Sequence, residues 1–89
     1  MNLKKNWRVV VTGVAEKNLK HVPKNDFIRI EKSIDQMIID PFAGDIDKLS
    51  DKGNAWRRRI GNYRIIFEIL IKKKTIYIYE IKRRTSKSY

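Results

Sequence analysis

The apolar positions change period along the chain, and each change marks an element. Trp7-Arg8-Val9-Val10-Val11-Thr12 is β-branched and compact, which predicts a first strand ended by Gly13. Ala15 to Val22 is short, polar and helix-tolerant, and Pro23 stops it, so a short first helix follows. Asn25 or Asp26 is placed to cap a second helix, in which Phe27, Ile30, Ile34, Met37 and Ile38 recur at spacings of three and four. That spacing gathers them into one stripe to be buried against a sheet. Pro41 closes the helix by disfavouring helical geometry at Asp40. Phe42 to Asn54 holds Gly44, Gly53 and several aspartates, and reads as a surface loop anchored by Ile46 or Leu49.

Beyond the loop the period falls to two. Two runs meet at Gly61-Asn62, a pair suited to the positive φ values of a two-residue hairpin turn. With that turn, Ile60 faces Tyr63, Arg59 faces Arg64, Arg58 faces Ile65 and Trp56 faces Phe67. Trp56, Ile60, Tyr63, Ile65 and Phe67 then share the side that meets the helices, with Arg58 the misfit among them. Arg57, Arg59, Arg64 and Glu68 share the other side, with Ile66 its one apolar member. Lys72-Lys73-Lys74 makes the next turn, and Thr75 to Ile81 is a final strand rich in isoleucine and tyrosine. Lys82 to Tyr89 carries no usable period. The order is β-α-α-β-β-β: an α+β domain over residues 1–89, an antiparallel meander with a helical hairpin packed on one face.

Charge changes this picture from a scaffold to a surface. The chain has a formal net charge of +11, and nine of those charges fall between Ala55 and Tyr89. A field of that density on one side of a small domain favours a polyanion, of which nucleic acid is the commonest for a soluble protein. A solvated basic face kept for solubility is the alternative. There is no cysteine, so disulfides and thiolate metal sites are excluded, and a lone histidine, His21, in a charged helix is more often surface than ligand. No metal and no small-molecule cofactor are expected. No run approaches the roughly 20 apolar residues of a membrane span. MNLKKNW has no apolar stretch behind its lysines, so a cytoplasmic chain without a membrane partner is expected.

Arg59 opposite Arg64, with Arg57 two residues along the same face, is an energetically odd triplet, because like charges across a strand pair destabilise. Such a triplet is tolerated most easily where it meets an anion. The planar fork of arginine suits phosphate oxygens, and it also stabilises a phosphate whose charge grows in a transition state. Arginines that simply point into water and are screened by salt are the other reading.

The run Trp56-Arg57-Arg58-Arg59-Ile60-Gly61-Asn62-Tyr63-Arg64-Ile65-Ile66-Phe67-Glu68, preceded by Asp40-Pro41-Phe42-Ala43-Gly44-Asp45 and Leu49, resembles the W-R-x-R-x-G-x-Y-R-x-x-Y/F-E core of the RelE/ParE superfamily of bacterial and archaeal toxins. The resemblance covers nearly the whole chain, including the order of elements. It implies a RelE-like fold and one of two activities. RelE-type members are ribosome-dependent endoribonucleases that cut messenger RNA in the ribosomal A site without a metal, and ParE-type members poison DNA gyrase by binding it. A toxin homologue that is inactive and retained as an antitoxin-bound repressor subunit is a further alternative. The tail Lys82-Arg83-Arg84-Thr85-Ser86-Lys87-Ser88-Tyr89 is similar to the RelE-type ending, in which an arginine precedes a tyrosine by six positions. By that match Arg83 takes the place of a catalytic arginine on the last strand and Tyr89 that of the C-terminal tyrosine. Arg64 matches the arginine of the Y-R pair, and Arg57 and Arg59 match two basic positions that are often lysines in the superfamily.

The implied catalytic set is therefore Arg57, Arg59, Arg64, Arg83 and Tyr89, in a metal-independent endoribonuclease that yields a 2′,3′-cyclic phosphate. The implied partners are the ribosome with its messenger RNA and a cognate acidic antitoxin. An arginine is a poor general base, so the match leaves the base unassigned.

Overall fold

The Gly61-Asn62 turn folds β3 (Ala55–Ile60) onto β4 (Tyr63–Leu70) in the expected register, from Ile60 opposite Tyr63 to Trp56 opposite Phe67. Gly61 has a positive φ of 55°, and Asn62 does not, so the turn follows the pattern in which glycine takes the first central position. The computed structural model describes residues 6–49 and 53–84. In chain order the other elements are β1 (Arg8–Val11), α1 (Gly13–Lys20), α2 (Lys24–Ile39), β2 (Ile46–Lys48) and β5 (Thr75–Arg83).

The sheet has the order β1-β5-β4-β3-β2. It departs from a plain meander in two places. β1 pairs with β5 in parallel, at one edge, and β2 is an added strand pairing antiparallel with β3 at the other. The expected loop from Phe42 to Asn54 thus contains a strand. Its three residues Ile46, Asp47 and Lys48 have no alternation of their own to show it, and long-range pairing to β3 forms it.

The helix boundaries also shift. Gly13 opens α1 rather than ending β1, because the Thr12 hydroxyl caps the helix by accepting from the Ala15 amide at 3.3 Å. α2 begins at Lys24 behind Pro23, without a side-chain cap, so neither Asn25 nor Asp26 serves as its N-cap. Its stripe is buried as expected at Ile30 and Met37 and partly at Ile34, while Phe27 stays about one-third exposed.

β4 alternates strictly, with Tyr63, Ile65, Phe67 and Ile69 all buried on the helix side. They meet Ile76, Ile78 and Ile81 of β5, with Ala15, Ile30 and Met37 from the helices above. Each fully buried isoleucine or phenylalanine contributes about 1.5–3 kcal/mol, so this layer fixes the sheet and leaves its opposite face free of packing duties.

One irregularity decides which side chains reach that open face. The β4–β5 register slips between Ile66 and Phe67: Ile66 pairs with Glu80 but Phe67 with Ile78, so Tyr79 is an extra residue in β5. Before the bulge Tyr77 points to the open face; after it the phase is reversed, Ile81 enters the core, and Lys82 takes the open side opposite Arg64.

Candidate functional site

Arg57 and Arg59 of β3 and Arg64 of β4 stand on the open face together, as the strand period requires. Arg59 and Arg64 are direct cross-strand neighbours, an arrangement that alone costs a few tenths of a kcal/mol to about 1 kcal/mol. Two carboxylates from the β2 side offset it. Asp47 Oδ2 lies 3.0 Å from Arg57 Nη2 and 3.2 Å from Arg59 Nη2, and Asp45 Oδ1 lies 3.4 Å from Arg59 Nη1. The arginines are therefore not simply unpaired cations in water, because β2 brings two aspartates of the former loop onto them. These pairs are partly exposed, so each is worth no more than about 1 kcal/mol.

Arg64 differs from both. Among the described residues it makes no ion pair, and its Nε is buried without a hydrogen-bond partner. Arg57 also leaves its Nε buried and unpartnered while its Nη2 is engaged. Donors held in this way, aimed by rigid strands, are the groups an oxyanion satisfies. Lys82, directly opposite Arg64, adds an amine to the same face. Periodicity alone overlooks it, although Ile76, Ile78 and Ile81 carry the signal: the core positions of β5 pass from even to odd numbers, which announces the bulge.

Arg83 ends β5, the strand that the resemblance gives it, but its cross-strand partner is Tyr63, so it lies on the helix side of the sheet end rather than beside Arg64. There it lines a cavity of about 280 Å³ with Asn18, His21, Val22, Tyr63 and Ile81. Tyr89 lies outside the described residues.

Arg58 is the third arginine of the run and has the opposite environment. It is 5% exposed, on the helix side, where it donates to the Ala43 carbonyl at 2.6 Å and to Gln36 Oε1 at 2.8 Å. Burial pushes its guanidinium below its ordinary value, and the nearby Asp45 carboxylate partly offsets this. Gly44, with φ of 90°, lies flat against it: a Cβ there would come within 2.6 Å of the guanidinium carbon. The misfit of the period-two pattern is thus a clamp that fastens the turn after α2, and the Asp45 and Asp47 beyond it, to β3.

Farther along the open face, Tyr77 and Tyr79 of β5 stack with ring centroids 6.3 Å apart and planes 13° apart. The Tyr79 hydroxyl donates to Glu68 of β4, and this hydrogen bond, ahead of burial, pushes the phenol up from its ordinary value.

No protein-family profile matches the sequence, and neither does any curated protein. Solved structures do match. The chain is similar to the RelE of an archaeal RelE–RelB complex from Pyrococcus horikoshii OT3, with a TM-score of 0.83 and 28% identity over 93% of this chain and 100% of that one. It is also 28% identical to a chain of the RelB–RelE antitoxin–toxin complex from Methanococcus jannaschii, with a TM-score of 0.61 over 83% of this chain and 88% of that one. These likenesses support a RelE-type assignment of the chain. The isolated E. coli RelE toxin, at 11% identity, shares the RelE-type fold with a TM-score of 0.80 over 92% of this chain and 88% of that one. In the RelE-type sheet described here, one face is given to the core. The other holds Arg57, Arg59, Arg64 and Lys82 at the hairpin end.

Proposed function

We propose that this RelE-type chain is the toxin of a toxin–antitoxin pair, a ribosome-dependent endoribonuclease that cuts messenger RNA in the ribosomal A site. One observation carries the reading: three arginines converge on a solvent-facing strand pair, and Arg64 among them has no counter-ion within the described residues. In the reaction, the 2′-oxygen of a ribose gives up its proton and bonds to the adjacent phosphorus. The bond from phosphorus to the 5′-oxygen breaks, and that oxygen takes a proton. The products are a 2′,3′-cyclic phosphate and a 5′-hydroxyl, with no metal required. Arg57, Arg59 and Arg64 hold the phosphate and neutralise the charge that grows on it in the pentacoordinate transition state.

Lys82, opposite Arg64, adds a further cation that holds the phosphate from the same face. Arg83, one residue on and across the sheet end, neutralises the adjoining phosphate, and Tyr89 stacks on a nucleotide. Such work belongs in the cytoplasm, where the partners are the ribosome, its messenger RNA and an antitoxin. Two of the similar solved structures are RelE proteins in complexes with RelB. An antitoxin of this chain is acidic where it meets Arg57 and Arg59, taking the place of substrate phosphate.

Primer extension on messenger RNA after induction of the chain tests the reading. Sharp cuts within translated codons are expected. Gyrase-dependent DNA breaks with intact messenger RNA would replace the nuclease with the ParE-type reading, and growth unaffected by the chain would leave only an antitoxin-bound repressor subunit.

A further inference from the structure

We propose that Tyr77 and Tyr79 form a stacking platform for an unpaired base of the RNA whose phosphate lies at Arg57, Arg59 and Arg64. This rests on the nuclease reading, and it assigns a part of the open face that the reaction itself does not use.

The platform is built rather than incidental. Residues two apart on a strand share a face, and here the two rings lie nearly parallel. The bulge pushes Tyr79 outward, to 41% exposure, and its hydroxyl is tied to Glu68. A ring already fixed loses little rotamer freedom when a base stacks on it, so more of the stacking free energy appears as affinity. Ile66 of β4 and Val10 of β1 share this face and flank the tyrosines with apolar surface.

Charge divides the face and fixes the direction of the strand. The hairpin end is cationic, with Arg57, Arg59, Arg64 and Lys82. Glu68 and Glu80 stand beside the tyrosines, with Arg8 of β1 farther along the same face. The two carboxylates repel a phosphate from the tyrosines themselves but leave a neutral base undisturbed. From Lys82 back to Tyr79 is three residues, about 10 Å at roughly 3.3 Å per residue, a span that a flexible nucleotide bridges from phosphate to base. A sequence-tolerant stack beside a cationic groove is the recurrent design for single strands.

The test uses the full chain and a short single-stranded 2′-O-methyl oligoadenylate, which cannot be cut because its 2′-oxygen is blocked. Tyr79→Ala is expected to weaken binding by roughly tenfold or more. The slope of log affinity against log salt should not change, because the phosphate contacts remain. Tyr79→Phe keeps the π-face but loses the tie to Glu68, so it should bind more weakly than the parent and more tightly than Tyr79→Ala. Thermal unfolding of each variant confirms that the fold is intact. Unchanged affinity in Tyr79→Ala overturns the platform. So does a loss confined to antitoxin binding, which would make the face a protein-docking surface. The nuclease reading fails separately: a parent chain that cuts no messenger RNA yet shows the Tyr79-dependent affinity keeps the platform and loses the reaction.

Discussion

Arg57, Arg58 and Arg59 are consecutive, yet the middle one lives by different rules from its neighbours. Arg58 is buried against Gly44, with the Ala43 carbonyl and the Gln36 amide oxygen as acceptors, whereas Arg57 and Arg59 meet carboxylates at the surface on the opposite face. Alternation along one strand turns a single basic run into a structural anchor and a pair of ligand-facing cations. The two are coupled. Arg58 fastens the turn after α2, and that turn leads into β2, whose Asp47 holds Arg57 and Arg59. A count of positive charge cannot separate these roles, but burial and the identity of the acceptors do.

The comparison is tested hardest on the open face, at Arg64. Arg64→Ala should lower messenger RNA cleavage by roughly a hundredfold or more, the loss seen when one donor to a developing oxyanion is removed, about 2.7–4 kcal/mol. Its melting temperature should stay close to the parent's, because among the described residues no ion pair is lost. Arg83→Ala, on the other side of the sheet end, should cost less. Equal losses at both positions would show that Arg83 reaches the scissile phosphate despite its register with Tyr63.

The hairpin was legible because turn and period are both local: Gly61-Asn62 sets the register and every pair follows from it. The face of Arg57, Arg59 and Arg64 was legible for the same reason. What the sequence hid is non-local. β2 is too short to alternate, so Asp45 and Asp47 read as loop acids although they neutralise the site. β1 gives no sign that its partner is β5, in parallel, because nothing in the run Arg8–Val11 names a neighbour. The bulge at Tyr79 is a single inserted residue. It exchanges Arg83 for Lys82 on the open face, and only the phase break from Ile78 to Ile81 announces it.

The buried half of the comparison is read through stability. Arg58→Ala removes two charge-assisted hydrogen bonds and leaves a void against Gly44, with an expected loss of about 2–3 kcal/mol in urea unfolding. At about 4–8 °C per kcal/mol for a domain of this size, the melting temperature should fall by roughly 10 °C or more. Arg58→Lys should recover little, because one ammonium cannot reproduce a planar fork aimed at two acceptors. Full recovery by lysine would mean that charge alone is needed there, and the clamp geometry would be irrelevant.

The smallest effect is the most informative about the coupling. Asp47→Asn keeps the shape of the side chain and removes the charge that lies 3.0 Å from Arg57 and 3.2 Å from Arg59. Stability should drop by at most about 1 kcal/mol, since both pairs are partly exposed. Binding of a single-stranded RNA should move the other way. Two guanidiniums no longer shared with a carboxylate are free for phosphate, so affinity should rise several-fold and its salt dependence should steepen, because more counterions are released per complex. Salt titrations of the parent and the variant with the same oligonucleotide decide the matter. If affinity falls instead, Asp47 is aiming the two arginines rather than competing for them, and the open face depends on its carboxylates as closely as the buried one depends on Arg58.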